Sequence, residues 1–527
     1  MARNGRWHAP GVTDILKSVQ NIRTLRVAML LAAACAAGER AYPQAAEPPA
    51  QVVQLSVVAL DSHGQPVGDL TAADFEIADA GKPQKVAIFR HGDVKLRQAP
   101  PLGAGEFSNR GAANLDHATL ILFDLLNQTF GARGEASSYL VDGLKSVESG
   151  DSLFLYLLTA DAKLYPVRPL PGAGTEAPAP GGVSWTRNAK PLVDGAMTRM
   201  FRLRPTSIDM GTRVSLTYAA LESVGRMLAG IPGRKSIVWI TRGVPISLSV
   251  SSQSTVTAGQ AVTAGEPLDY APVLRRLCLI LDRLNVAVYP VMQTPPGMGG
   301  ADDVSSFAVS SEEGLRQIAE WTGGPAKAAN TIPSTLRQAI NDVRTSYRLG
   351  YYPPAANWDG KFHNLRVSCA RKGVRLQVQT GYYAIPDKAG DEDEALKVAA
   401  ATAFDASEIG LRCAMTPSPS GGTVVRFKLG IDPADIRIAQ QGDRYSSSLD
   451  MQMVGYLTSG EFQSSPVRPL NLSWTADELA KAKTDGFLWN PPIDINVRDT
   501  AEKVRFLVFD RDSHAIGTLT IPLKTAK

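Results

Sequence analysis

The sequence predicts an α/β fold in which a mainly parallel sheet is covered by helices on both faces and flanked by β modules. The apolar run Thr119–Asp124 ends in a single acid, and the apolar run Ser236–Thr241 is followed by Arg242 and Gly243. Around these runs, strand-like segments alternate with segments of helical periodicity. Such alternation is typical of parallel strands joined by crossover helices.

The alternation extends over residues 114–350. Predicted strands lie at 119–124, 152–158, 163–167, 236–241 and 285–292, and predicted helices lie at 134–148, 213–229, 271–284, 312–322 and 333–346. The helix at 213–229 has apolar residues at helical spacing and ends at Gly230-Ile-Pro-Gly233. Residues 247–266, rich in Ser, Thr and Gly, show no periodicity and predict a mobile loop.

The segments on either side of this region predict β structure. Residues 51–95 contain short strand-like runs separated by turn sequences, which predict a small N-terminal β module. Residues 351–386 predict a β extension of the central region. Residues 395–527 open with a short helical segment and continue with strands, which favours an immunoglobulin-like β-sandwich.

The first 45 residues predict an exported protein. They hold six bases and two acids, which account for the whole net charge of +4. Their apolar run, Val27–Ala37, is too short to span a bilayer but suits a secretory signal peptide, with a buried N-terminal helix as the alternative. We therefore expect a secreted, periplasmic or cell-surface protein whose mature chain has no integral membrane span. The remaining chain is formally neutral and has no electrostatic footprint for nucleic acid.

Cysteine and histidine positions disfavour the common metal and redox sites. Beyond the leader, Cys278, Cys369 and Cys413 remain, and no pair has C-x-x-C spacing. Cys278 lies in a predicted helix and is expected to be a small residue of the hydrophobic core. Cys369 and Cys413 can form a disulfide in an exported protein, and the sequence leaves this open. The six histidines are scattered.

Several longer motifs also occur between about residue 51 and residue 385: Asp69–Glu76, Leu122–Asn127, Pro232–Ile240, Ala319–Gly324 and Tyr347–Pro353. With these motifs the chain resembles the VWFA-related family described from acidobacteria, whose central domain is of the von Willebrand factor A type. The resemblance implies a three-layer, doubly wound, Rossmann-like α/β fold and export. It implies no defined biochemical activity.

The same resemblance implies a degenerate metal-dependent adhesion site. A-type domains bind a divalent cation through D-x-S-x-S, a Thr from a later loop and the Asp of a T-D-G sequence. Here the first Asp is Asp124, the serine positions hold Leu126 and Gln128, Thr212 matches the Thr, and Arg242 replaces the last Asp. We therefore expect no bound metal and no other cofactor.

The charge of Arg242 distinguishes three arrangements of this site. A guanidinium about 4 Å from a divalent cation costs roughly 8 kcal/mol at an effective dielectric constant of about 20. Beside Asp124 it gains charge-assisted hydrogen bonds instead, so we expect Arg242 to neutralise Asp124. The alternatives are an Arg242 side chain in solvent and a metal bound through Asp124, Asn127 and Thr212.

No motif of nucleophilic, zinc-dependent or phosphate-binding catalysis appears in the sequence. We therefore predict a non-enzymatic, exported module for protein–protein interaction or adhesion. Its partner would be a protein or a cell-envelope component, bound near Asp124, Asn127, Gln128, Thr212 and Arg242. The alternatives are metal-dependent binding through a non-standard site at Asp124 and a structural envelope scaffold without a discrete ligand.

Overall fold

The computed structural model describes residues 51–91, 101–110, 117–128, 130–147, 152–170, 185–201, 208–248, 268–292, 302–325, 331–354, 357–386, 391–402, 404–419, 423–496 and 501–523. The predicted signal peptide and most of the predicted loop at 247–266 lie outside these ranges. Among the helices within them, none is both long and apolar enough to cross a membrane.

The first third of the chain forms β1 (Val53–Leu60), β2 (Phe75–Asp79), β3 (Lys82–Gln84), β4 (Ile88–His91), β5 (Glu106–Ser108), β6 (Ala118–Asp124), α1 (Phe130–Lys145), β7 (Leu153–Leu158), β8 (Leu164–Arg168), α2 (Ala189–Phe201) and α3 (Met210–Met227). The middle third forms β9 (Lys235–Thr241), β10 (Ser247–Leu248), β11 (Leu268–Asp269), α4 (Ala271–Arg283), β12 (Val286–Met292), α5 (Asp302–Trp321), α6 (Ile332–Thr345), β13 (Tyr347–Tyr351), β14 (Phe362–Cys369), β15 (Arg375–Gln377) and β16 (Gly381–Tyr383).

The last part of the chain forms α7 (Asp391–Ala401), β17 (Leu411–Pro417), β18 (Val424–Ile431), β19 (Ala439–Gln441), β20 (Arg444–Leu457), β21 (Phe462–Ser464), β22 (Arg468–Trp474), α8 (Ala476–Asp485), β23 (Leu488–Trp489), β24 (Ile493–Asn496), β25 (Ala501–Asp510) and β26 (Ile516–Pro522).

One mixed sheet has the strand order β12–β9–β6–β7–β8. Its first four strands are parallel, and β8 is antiparallel to β7. Because successive side chains alternate between the two faces of the sheet, each strand contributes residues to two hydrophobic cores, one on each face. Leu120 packs with residues of α3, α4 and α5 on one face, whereas Ile121 packs with residues of α1, α2 and α6 on the other.

Two antiparallel sheets, with the orders β15–β1–β13–β4 and β16–β14–β2–β3, form what we call the first β unit. Its strands come from two distant parts of the chain, before and after the mixed sheet. The predicted module at 51–95 and the predicted extension at 351–386 therefore share both sheets. Leu55, Phe75 and Tyr347 lie in their common core.

A second β unit contains two further antiparallel sheets. One has the order β23–β18–β17–β5, with β24 also on β18; the other has the order β19–β20–β25–β26, with β21 and β22 also on β20. Phe427 and Phe506 meet between them, with ring centroids 5.4 Å apart. Cys369 in the first β unit and Cys413 in the second are free thiols, so they are not joined by a disulfide here.

The predicted fold class, an α/β fold built on a three-layer, doubly wound and mainly parallel sheet, is wrong for this chain. Of the 26 strands in the described residues, 5 belong to the mixed sheet, and every other described sheet is antiparallel. The prediction gave most weight to the strand–helix alternation of 114–350. Most strands lie outside that region, and several of them, such as β1 and β5, pair with strands that are remote in sequence.

Candidate functional site

The carboxyl ends of β6 and β9 lie side by side at one edge of the mixed sheet. Asp124 is the last residue of β6, and Thr241 is the last residue of β9. The residues before them, Phe123 and Ile240, are paired in the parallel ladder. The Thr241 hydroxyl donates a hydrogen bond of 2.7 Å to Asp124 Oδ2.

The turn after β6 supplies two more donors to the same carboxyl group. The Asn127 backbone N–H donates to Asp124 Oδ1 at 3.0 Å, and Asn127 Nδ2 donates to Asp124 Oδ2 at 2.7 Å. Nδ2 also donates to Thr217 Oγ1 of α3 at 2.8 Å. We call Asp124, Asn127, Thr217 and Thr241 the Asp124 cluster. It joins two strand ends, a turn and a helix.

The Asp124 cluster is closed to solvent. Asp124, Thr217 and Thr241 are 0% exposed, and Asn127 is 9% exposed. Burial raises the pKa of Asp124 above its usual value, whereas the hydrogen bonds from Asn127 and Thr241 act in the opposite direction. The charged form is disfavoured because a buried carboxylate loses its hydration.

Arg133 of α1 is a cation whose charge acts on Asp124. Its side chain is buried, and its Nη2 donates a hydrogen bond of 2.9 Å to the Leu125 carbonyl. Burial lowers the pKa of Arg133, and attraction to Asp124 acts in the opposite direction. Sequence reasoning missed Arg133 because it lies just before the predicted helix at 134–148, and nothing in the sequence marks an arginine there as buried.

The salt bridge expected between Arg242 and Asp124 is not among the contacts found within the described residues. The described hydrogen-bond partners of the Asp124 carboxyl are Asn127 and Thr241. The Gly243 N–H donates to Thr241 Oγ1 at 3.0 Å and fixes the turn.

Thr212 lies in the first turn of α3 and not in the Asp124 cluster. Its N–H and its hydroxyl donate to the carboxylate of Asp209, the N-cap residue, at 2.9 and 2.6 Å. The threonine that contacts Asn127 is Thr217. The signal for Thr217 was present in the sequence, since it lies on the apolar face of the predicted helix between Val214 and Leu221.

The structure therefore brings together only part of the predicted set. Asp124 and Asn127 are in direct contact, and Gln128, the next residue, is buried. Asp124 is the one acid in its cluster, and its two oxygens accept three hydrogen bonds. In the part of the chain that the structure describes, no group of three or more His, Cys, Asp and Glu residues is arranged to hold a metal ion.

A second buried carboxylate, Asp79 at the end of β2, lies in the first β unit. His363 Nδ1 is 3.1 Å from Asp79 Oδ1, and the Tyr382 hydroxyl donates to Asp79 Oδ2 at 2.9 Å. His363 Nε2 is 3.2 Å from Asp359. These contacts bind β2, β14 and β16 together, which is a structural role for His363.

Comparison with known proteins assigns the chain to no family. No family model matches the sequence, and no curated protein does. Among solved structures, one match is the crystal structure of the pilus adhesin SpaC from Lactobacillus rhamnosus GG, with 10% sequence identity and a TM-score of 0.27. The alignment covers 84% of this chain and 58% of the adhesin chain, so this chain spans well under two thirds of that protein. At this TM-score the similarity supports no argument about fold or function.

Proposed function

We propose that the protein is a non-enzymatic, extracytoplasmic module for protein–protein interaction or adhesion, and that its binding does not depend on a divalent cation. The observation that carries the proposal is the closure of the Asp124 cluster. Its carboxyl and both hydroxyls are 0% exposed. A catalytic group must reach the reacting atoms, and a metal ligand must reach the ion, so neither use is open to side chains in this state.

Recognition would then fall to the segments that leave the closed edge. Loops held by a rigid scaffold are the usual place for binding residues. Asn127 fixes the turn after β6, and Thr217 fixes α3 against that turn. β10 and β11 pair with each other on either side of residues 249–267, which lie outside the described residues. A partner held there would be bound by shape and by hydrogen bonds.

The test is binding of the full mature chain to immobilised cell-envelope fractions and to defined extracellular proteins, measured by biolayer interferometry with and without EDTA. A variant in which residues 250–266 are replaced by a short Gly-Ser linker removes the proposed binding segment. The matched control replaces the exposed turn Ser62–Gly64 in the first β unit. We expect binding that resists EDTA, is lost in the loop variant and is kept in the control.

Two results would overturn the proposal. Loss of binding in EDTA, with recovery on added calcium or magnesium, would indicate metal-dependent binding through a site at Asp124. Self-association or envelope fractionation that is the same in wild type and loop variant would indicate a scaffold without a discrete ligand.

A further inference from the structure

A cavity of about 360 Å³ lies in the seam between the first and second β units. Three arginines line it, namely Arg90, Arg348 and Arg437, and none of its lining residues is acidic. Apolar side chains, among them Phe89 and Ile436, form part of its wall. The cavity therefore combines concentrated positive charge with an apolar surface.

Two of these arginines face each other directly. Arg90 of β4 and Arg348 of β13 are cross-strand partners in an antiparallel ladder. Their side chains share one face of the sheet, and like charges in this position destabilise a strand pair. Burial lowers the pKa of Arg90, and repulsion from Arg348 acts in the same direction, whereas attraction to Asp435, Glu408 and Asp510 acts against both. The fold thus keeps an unfavourable charge pair at the cavity wall.

The acids near the seam are shared with other donors and cations. The Asp510 carboxylate, for example, accepts hydrogen bonds from the Arg437 backbone N–H at 2.7 Å and from the Ser513 hydroxyl at 2.6 Å. Glu408 lies 3.3 Å from Arg348 and 3.9 Å from Lys235, so two cations share it. Asp435 forms an ion pair with Arg110. Arg90 Nη2 donates to the main-chain oxygen of Asp435 at 3.0 Å, a neutral acceptor.

The third arginine, Arg437, lies over an aromatic ring. Its guanidinium carbon is 3.8 Å from the centroid of Tyr352. Stacking covers the face of a guanidinium and leaves its edge, with the N–H groups, available for hydrogen bonds. Within the described residues no carboxylate forms an ion pair with Arg437 or Arg90. An anion in the cavity would supply the missing acceptor and relieve the repulsion between Arg90 and Arg348.

We propose that this cavity binds a small organic anion, in which a phosphate or carboxylate group lies among the three guanidinium groups and a body of about monosaccharide size lies against the apolar wall. Guanidinium groups match both oxyanions through paired hydrogen bonds. The volume falls within the range of about 300 to 1,000 Å³ that is usual for small-molecule sites. The site is separate from the Asp124 cluster, and the inference does not depend on the function proposed above.

The test is titration calorimetry on the full mature chain at low ionic strength and pH 7, with glucose 6-phosphate, glucuronate, inorganic phosphate and glucose as probes. We expect one or both sugar anions to bind with a Kd below about 1 mM, and glucose not to bind. If inorganic phosphate bound as tightly as the sugar anions, the apolar wall would contribute nothing, and the proposal that the ligand has an organic body would be wrong. Absence of binding by all three anions up to about 10 mM would overturn the site.

Two arginine variants separate a binding role from a structural one. Arg437→Gln should weaken anion binding by roughly tenfold or more, since it removes a charged donor. Arg375→Gln removes the same charge from an exposed position of β15 and should leave the Kd within about twofold of wild type. Equal weakening by both variants would indicate nonspecific attraction and contradict the proposal.

The Arg90→Gln variant distinguishes a binding role from a structural role more sharply than Arg437→Gln. It removes one member of the opposed pair, so the ligand-free protein should melt at the same or a higher temperature while anion binding is lost. A lowered melting temperature together with retained binding would mean that Arg90 serves only the structure, and would overturn the proposed site.

Discussion

The Thr241 hydroxyl donates a 2.7 Å hydrogen bond to the Asp124 carboxyl across two neighbouring strands, although the two residues are 117 positions apart in sequence. The sequence predicts a salt bridge with Arg242 at this carboxyl, and the structure shows the Thr241 hydroxyl among its donors. The donors to Asp124 at this edge of the mixed sheet are therefore neutral groups. Burial of the carboxyl disfavours its charged form.

Removing this donor should destabilise the protein. Thr241→Val keeps the shape and the β-branched side chain but leaves one acceptor position of a fully buried carboxyl unpaired, which costs about 1–3 kcal/mol. Urea unfolding at constant pH measures the loss. Thr484→Ala is the control, because Thr484 is exposed on α8 and its hydroxyl bonds only within the helix. Equal stability of Thr241→Val and wild type would show that the bond contributes nothing.

The glycine after Arg242 should tolerate no side chain. Gly243 has a φ of +95°, and a Cβ built on it would lie 2.8 Å from the Ser311 Cβ. Gly64 has a similar left-handed φ of +76° but has nothing within 4 Å. Gly243→Ala should therefore cost more than Gly64→Ala by about 1–3 kcal/mol, the usual range for overpacking. Unfolding midpoints of the two variants test this, and equal costs would mean that the backbone conformation alone matters.

A buried tyrosine should be needed to hold Arg234 beside Asp342. The Tyr289 hydroxyl accepts from Arg234 Nη2 at 3.1 Å and donates to Asp342 Oδ2 at 2.7 Å. Because Arg234 and Asp342 are each 1% exposed, Tyr289→Phe should destabilise the fold by about 1–3 kcal/mol. Tyr139→Phe, at an exposed tyrosine of α1, should have no measurable effect. A Tyr289→Phe protein as stable as that control would contradict the bridging role.

The stability should fall as the pH rises from about 4 to about 7, and Asp282 should account for part of the fall. Burial raises the pKa of Asp282 to about 7, with the charge of nearby Arg283 acting in the opposite direction. An acid with a pKa near 4 in the unfolded chain binds more protons when folded, so each pH unit in this window lowers stability by up to about 1.4 kcal/mol.

Asp282→Asn should remove this contribution and gain stability relative to wild type as the pH rises. Urea unfolding at pH 4, 5, 6 and 7 provides the comparison. Asp443→Asn, at an exposed position of the second β unit, is the control, and its free energy of unfolding should change with pH in parallel with that of the wild type. If the Asp282→Asn and wild-type curves were parallel as well, the pKa of Asp282 would not be raised.

Local structure in the centre of the chain was predictable from the sequence. The predicted strand at 119–124 is observed at Ala118–Asp124, and the predicted helix at 213–229 is observed at Met210–Met227. Apolar runs and helical periodicity report burial within a few residues. They do not report which distant strand is the partner, so the flanking β structure was predicted but the sheets shared between residues 51–91 and 347–383 were not.

In the Asp124 site too, the contacts that are local in sequence were predictable and those that depend on tertiary packing were not. Asp124 and Asn127 are three residues apart, and their contact follows from the end of one strand. Thr217 reaches them only through the packing of α3, and Thr241 reaches them through the pairing of β9 with β6. Tertiary packing sets these contacts, so local sequence patterns do not report them.

The interleaved first β unit has a consequence for biosynthesis. The Val67 carbonyl and the Tyr347 hydroxyl are bonded at 2.8 Å, yet 280 residues separate them. At translation rates of about 5–20 residues per second, roughly 15 to 55 s pass between the synthesis of the two. During that interval β2 and β3 can pair with each other, but β1 and β4 have no partner strand, while the mixed sheet can already close. A nascent chain halted before β13 would expose unpaired, apolar strand edges, so the early strands must be shielded until the chain has passed residue 383.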